Sequence, residues 1–137
     1  MNVVRNAPLV LIAEDFEDAR ELYREYLEFS GFSVLTAVNG REAIELAIDV
    51  QPDVILMDAS MPVLDGWQAT RELKSNPATR HIPVVALTAH AFEDAKQQAR
   101  AAGCDGFITK PCLPDELVSR VRATLDGLSR RKPRPRG

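Results

Sequence analysis

The chain has 137 residues, 45% of them hydrophobic and 27% charged, which is the size and balance of one globular domain able to bury a core without disulfide or metal staples. The net charge of −3 hides an asymmetry: Arg130, Arg131, Lys132, Arg134 and Arg136 crowd the last eight positions, leaving twelve bases against twenty acids over residues 1–129. Such an acidic body is a poor nucleic-acid surface, no apolar run approaches the ~18 residues of a membrane span, and the run Leu9–Ala13 is too short for a signal-peptide core, so a cytoplasmic protein is expected.

Residues 1–7 read as a flexible leader. Residues 8–13 form an apolar run that ends in Glu14-Asp15, the pattern of a buried strand. Residues 15–30 follow helical spacing, with Ala19, Leu22, Tyr23, Tyr26 and Leu27 on one face and Gly31 as the C-terminal cap. A second strand covers 32–38. Asn39-Gly40 is a turn signal that leads into a helix, because Ala43, Ile44, Leu46, Ala47 and Ile48 recur at helical spacing. Gln51-Pro52 ends that helix, and residues 53–58 form a third strand that stops abruptly at Asp58.

Asp65 is placed to cap a helix over 66–75, with Trp67, Ala69, Thr70 and Leu73 facing inward, and Asn76-Pro77 ends it. Residues 81–88 read as the fourth strand. The fourth helix, 89–102, has thin apolar content (Phe92, Ala95, Ala99, Ala102) and is expected to sit loosely on the sheet. A short fifth strand spans 105–109. Pro114 opens a fifth helix that runs to about residue 128. Residues 129–137 form a basic Arg/Pro-rich tail of the composition that stays extended or disordered.

Five short apolar strands alternating with five amphipathic helices imply a parallel sheet covered on both faces. Right-handed crossovers leave few topologies, among them the order 2-1-3-4-5, which the resemblance given below implies. Every strand then ends at the same rim. Glu14 and Asp15, Asp58, Thr88 and Lys110 all follow apolar runs there, at the edge where open α/β sheets bind ligands. Clustered acids repel unless a cation sits among them, and an oxygen-only donor set suits Mg²⁺. Asp58 is then a candidate nucleophile toward phosphorus, with Lys110 and Thr88 serving the phosphoryl oxygens. A cis peptide bond at Lys110-Pro111 is one way to aim the lysine. Cys104 and Cys112 fit neither a disulfide framework nor a zinc site and are read as free thiols, Cys112 lying close enough to Lys110 to feel its charge.

The acid pair Glu14-Asp15, the stretch Leu56-Met57-Asp58-Ala59-Ser60-Met61-Pro62-Val63-Leu64-Asp65-Gly66, the step Leu87-Thr88-Ala89 and the step Thr109-Lys110-Pro111 occur in one order at characteristic separations. Over residues 8–128 the chain resembles the receiver domain of two-component response regulators. The resemblance implies a flavodoxin-like doubly wound (βα)5 fold with the same strand order. It implies Asp58 as phosphoacceptor from a histidine kinase or histidine phosphotransfer protein. Mg²⁺, with Mn²⁺ as a substitute, would be held by Glu14, Asp15, Asp58 and the main-chain carbonyl of Ser60. Thr88 and Lys110 would hold the phosphoryl group, and Thr88 and Phe107 would form the switch. Ser60 and His90 would tune the lifetime of the acyl phosphate. The face made by the fourth helix, fifth strand and fifth helix would meet a downstream protein. Such a domain turns over no dedicated substrate, but it catalyses its own phosphorylation and dephosphorylation.

Two positions depart from the commoner pattern. The acid pair is Glu-Asp rather than Asp-Asp, and Phe107 stands where Tyr is frequent. The rival readings are a receiver segment of a hybrid kinase or transcription regulator and a pseudo-receiver acting only as an interaction module. An aspartyl-phosphatase would want an acid where Ser60 stands, and flavin binding would want phosphate-binding glycines or hydroxyls in the first loop.

Overall fold

The computed structural model describes residues 7–89 and 93–130. The leader beyond Ala7, His90, Phe92 and the tail from residue 131 lie outside them. Ten elements alternate without interruption: β1 (Leu9–Ala13), α1 (Glu17–Phe29), β2 (Ser33–Ala37), α2 (Gly40–Val50), β3 (Val54–Asp58), α3 (Gly66–Ser75), β4 (Val84–Thr88), α4 (Glu93–Ala102), β5 (Gly106–Thr109) and α5 (Pro114–Arg130). The strands form one parallel sheet in the order β2-β1-β3-β4-β5. The expected order holds.

The alternation of side chains along each strand splits the core in two. Val10, Ile12, Val54, Leu56, Val85 and Leu87 face α1 and α5, where Tyr23, Leu27, Leu117 and Val121 cover them. Leu11, Ala13, Ile55, Met57 and Val84 face α2 and α3, covered by Ala43, Ile44, Ala47, Ala69 and Leu73. Strands β1, β3 and β4 are buried along their whole length, which is why their sequences read as unbroken apolar runs. Helix α4 buries Ala95, Ala99 and Ala102, in agreement with its thin apolar pattern.

The punctuation works as expected, with local differences. The Asn39 side chain accepts from the Glu42 amide at 2.8 Å and caps α2. Asp65 does the same for α3 through the Gln68 amide at 2.9 Å. Helix α2 closes on Gln51 in the left-handed region (φ 57°), with Pro52 following rather than causing the stop. Helix α1 starts at Glu17, two residues later than the spacing suggested. The Phe16 amide donates to the Glu14 carboxylate at 3.2 Å, which holds the chain extended at the sheet edge first. Strand β4 begins at Val84 rather than residue 81. Lys74 Nζ takes the carbonyls of Arg80 and Ile82 at 3.2 and 2.8 Å, folding that segment into a turn. Helix α5 continues to Arg130, past the expected end near 128. Leu22 and Ile48, expected on inward faces, are each 45% exposed, because they sit at the margins of stripes already filled by Tyr23 and Leu27 and by Ile44 and Ala47.

Between β3 and α3 the chain makes a tight three-residue turn. The Leu64 amide donates to the Pro62 carbonyl at 2.7 Å, and Val63 at its centre has φ 70°. Positive φ is costly for a β-branched residue, and Val63 is 78% exposed, so little packing compensates. Val63→Asn is expected to raise stability by about 0.5–1 kcal/mol, read as a higher urea midpoint at unchanged slope. A lower midpoint would show that the valine side chain is in fact well accommodated.

Candidate functional site

The carboxyl ends of β1, β3, β4 and β5 converge. Asp58 is the last residue of β3 and Glu14 follows β1 directly; both are buried, whereas Asp15 is exposed. One carboxylate oxygen from each of Glu14, Asp15 and Asp58 can be chosen such that all three lie within 4.8 Å of one another. Lys110 Nζ reaches into this cluster, 2.9 Å from Glu14 Oε1 and 3.1 Å from Asp58 Oδ1. The peptide bond between Lys110 and Pro111 is cis. The Lys110 amide donates to the Thr88 carbonyl at 2.7 Å, so the β4–β5 ladder itself sets the position of the lysine beside the acids.

The electrostatics follow from burial and crowding. Burial, and after it the Glu14 charge, push Asp58 from an ordinary 3.8 up to about 6, while Lys110 pulls the other way and Asp15 adds to the rise. Burial works against the charge of Lys110, but its contacts with Glu14 and Asp58 outweigh that, and its pKa is raised. The ammonium thus serves as counter-ion to the two buried acids.

A cleft of about 400 Å³ opens over Asp58, lined by Ser60, Asp65, Trp67, Thr88, Gln98 and Lys110 among others. Thr88 is buried at the end of β4. Phe107 borders a different hollow, between α4 and α5, and is only half-buried there. His90 lies outside the described residues.

Three participants were invisible in the linear pattern. Arg20 Nη1 donates to the carbonyls of Glu14 and Asp15 at 3.0 and 3.4 Å, anchoring the acid pair from α1. Its helical position alone marked it as a solvated residue. Gln98 joins the cleft from α4, on the face read as polar. Gly66 packs on the backbone of Asp58 itself: a Cβ there would fall 2.1 Å from the Asp58 carbonyl oxygen. The sequence placed Gly66 only as the first residue of the helix capped by Asp65, which does not disclose this contact.

The thiols of Cys104 and Cys112 are free. The influence of Lys110 on Cys112 does not prevail: burial and then the Glu116 charge raise its pKa, and burial pushes Cys104 up to about 11. Trp67 lines the cleft, so its fluorescence is expected to change on titration with Mg²⁺. A titration flat for the parent protein and identical in Asp58→Asn would refute that placement.

Fold and site together define a class: doubly wound parallel-sheet domains with a lysine-bearing acidic cleft at the carboxyl edge. A model of the response regulator receiver domain matches residues 10–122, and the chain belongs to that family. It is 37% identical over 116 residues to the polar-differentiation response regulator DivK of Brucella anthropi, covering 85% of this chain and 94% of that protein. It is similar in structure to the signal receiver domain of a signal transduction histidine kinase from Syntrophus aciditrophicus (TM-score 0.84, 34% identity, 96% of this chain and 98% of that one). It is also similar to the receiver domain of a sensor histidine kinase from Pseudomonas aeruginosa, in which a magnesium ion is coordinated in the active-site cleft (TM-score 0.81, 31% identity, 88% of this chain and 98% of that one). No helix among the described residues is long and apolar enough to cross a membrane.

Proposed function

We propose that the chain is a phosphorylation switch in which Asp58 accepts a phosphoryl group. The observation that carries this reading is the placement of Lys110 Nζ between Glu14 and Asp58, inside a cluster of three carboxylates at the sheet edge. An acid triad without a sulfur or imidazole donor fits a hard divalent cation. Glu14, Asp15, Asp58 and the Ser60 carbonyl are the groups that would hold Mg²⁺ or Mn²⁺. When bound, the cation supplies positive charge against the crowded acids and the phosphoryl oxygens.

The chain's own residues do the rest. A carboxylate oxygen of Asp58 attacks phosphorus in line with the leaving group. With phosphohistidine as donor, the new O–P bond forms as the N–P bond breaks, and the imidazole nitrogen departs with the electron pair. Lys110 Nζ neutralises charge on the phosphoryl oxygens, and the Thr88 hydroxyl donates a hydrogen bond to one of them. The donor is a histidine kinase or histidine phosphotransfer protein, and the setting is the cytoplasm. Ser60 and His90 tune hydrolysis of the acyl phosphate. The acyl phosphate adds negative charge and acceptor oxygens at the carboxyl edge of β4. Thr88 closes on it, Phe107 reorients, and the α4–β5–α5 face shifts for a downstream protein. The inward face of α4, Ala95, Ala99 and Ala102, gives the sheet little apolar side chain to hold, which suits that helix to move.

Intact-mass measurement after incubation with a small phosphodonor and Mg²⁺ tests the assignment. One phosphoryl adduct is expected on the parent protein and none on Asp58→Ala. The same adduct on both proteins would refute Asp58 as acceptor.

A further inference from the structure

The loop that carries the acid pair is held by one residue of α1. Three consecutive carbonyls, of Glu14, Asp15 and Phe16, all accept hydrogen bonds from Arg20. The first two accept from Nη1 at 3.0 and 3.4 Å, and the third from the Arg20 amide at 2.9 Å. The loop has few other supports. Phe16 stands at the N-cap of α1, and its side chain makes no capping bond. Its ring is 62% exposed, and Asp15 is exposed as well. Glu14 has ties of its own: its amide donates to the Ala37 carbonyl at 3.0 Å, and its carboxylate meets Lys110 Nζ at 2.9 Å and the Phe16 amide at 3.2 Å. Arg24, one turn further along α1, behaves differently. It directs its guanidinium to carboxylates of its own helix, Glu21 and Glu28.

We infer that Arg20 is a positioning residue for the cation site: by holding the three loop carbonyls it sets where the Asp15 carboxylate stands, and with it the preference of the site for a small cation that demands fixed geometry. The inference deepens the proposed function and rests on its reading of the acid triad as a divalent-cation site. Asp15 is exposed, so packing does not aim its side chain. Its place within 4.8 Å of Glu14 and Asp58 follows from where its main chain is held. Mg²⁺ requires near-ideal octahedral geometry, whereas Ca²⁺ accepts irregular arrangements. A loosened Asp15 therefore weakens Mg²⁺ more than Ca²⁺. The charge of Arg20 acts in the opposite sense, since a guanidinium near the site repels any cation. Removing the guanidinium raises cation affinity if only its charge matters, and lowers it if holding the loop matters.

The test uses the full chain and the variants Arg20→Met, Arg20→Lys and Arg24→Met. Mn²⁺ binding is read from loss of the free-ion electron paramagnetic resonance signal, and Mg²⁺ and Ca²⁺ are measured by competition with it. Arg20→Met keeps the amide bond to Phe16 and an apolar stem but removes the guanidinium donors. It is expected to weaken Mg²⁺ binding at least about fivefold and Ca²⁺ binding less, so that the preference for Mg²⁺ over Ca²⁺ falls at least about threefold. Arg20→Lys keeps a charged donor in a different shape and should fall between Arg20→Met and the parent. Arg24→Met removes a cation of the same helix that does not hold the loop, and should change either affinity by less than about twofold. A general weakening of the fold would lower both affinities together. An unchanged Mg²⁺/Ca²⁺ preference in Arg20→Met, an Mg²⁺ affinity at or above that of the parent, or an equal loss in Arg24→Met would each overturn the inference while the cation site stands. Binding of none of the three ions by the parent chain would instead overturn the reading of the triad as a cation site, and the role of Arg20 with it.

Discussion

Replacing Asp58 with Asn is expected to stabilise the metal-free protein at pH 7, by about 1–3 kcal/mol. The carboxylate is buried at the end of β3, beside Glu14 and Asp15, and one lysine serves both buried acids. Burial and the Glu14 charge raise its pKa from 3.8 to about 6, so the folded state binds this proton more tightly than the unfolded chain does. Stability from this group is therefore fully present below about pH 4. It is lost as pH rises through about 6, and the cost persists at neutrality. The advantage of Asn should accordingly vanish near pH 4 and be complete at pH 7. Urea midpoints measured across that range without metal check both the sign and the window. Adding Mg²⁺ should stabilise the parent protein and leave the variant nearly unmoved, since the cation relieves the crowding the substitution has already removed. A variant less stable than the parent at pH 7 without metal would mean that the Lys110 pairing outweighs the crowding.

Gly66→Ala is expected to destabilise by about 3 kcal/mol or more and to slow phosphoryl uptake. The added Cβ would fall 2.1 Å from the Asp58 carbonyl oxygen and 2.9 Å from Ala59 Cα, both backbone atoms with no rotamer to yield. The Gly66 amide donates to the Ala59 carbonyl at 2.9 Å, so moving α3 away breaks the bond that closes the loop. The displacement falls where Asp58, the proposed phosphoacceptor, leaves the strand. Gly127→Ala in α5, with nothing within 4 Å of the new Cβ, makes the same chemical change in open space. It should stabilise by about 0.5–1 kcal/mol. Denaturant midpoints for the pair separate a steric cause from a general effect of replacing glycine; equal shifts would remove the steric argument.

Much of the site was legible because it lies at strand ends. An apolar run that stops at a carboxylate, a threonine or a lysine needs no tertiary knowledge to be noticed. Parallel strands carry all such ends to one rim. Glu14, Asp15, Asp58 and Lys110 are found together, and Thr88 and Ser60 line the same cleft. Arg20 and Gln98 were not legible, since a polar residue on a helix carries no mark of which neighbour it will meet. Phe107 was placed by resemblance at the switch, and in the structure it stands in the adjoining groove, two residues before the strand end that faces Thr88. The caps were readable from Asn39 and Asp65 because a cap is a contact within three residues.

The sequence alone determined the element order, the strand ends that carry chemistry and the acidic character of the body, because these depend on local periodicity and on residue type. Only the tertiary structure decided that one lysine would serve two buried acids, that Gly66 would rest on the backbone of Asp58, and that cations from α4 and α5 would gather beside Phe107. Each of these joins residues far apart in the chain. Their distances are set by sheet register and helix packing, which no stretch of sequence encodes by itself.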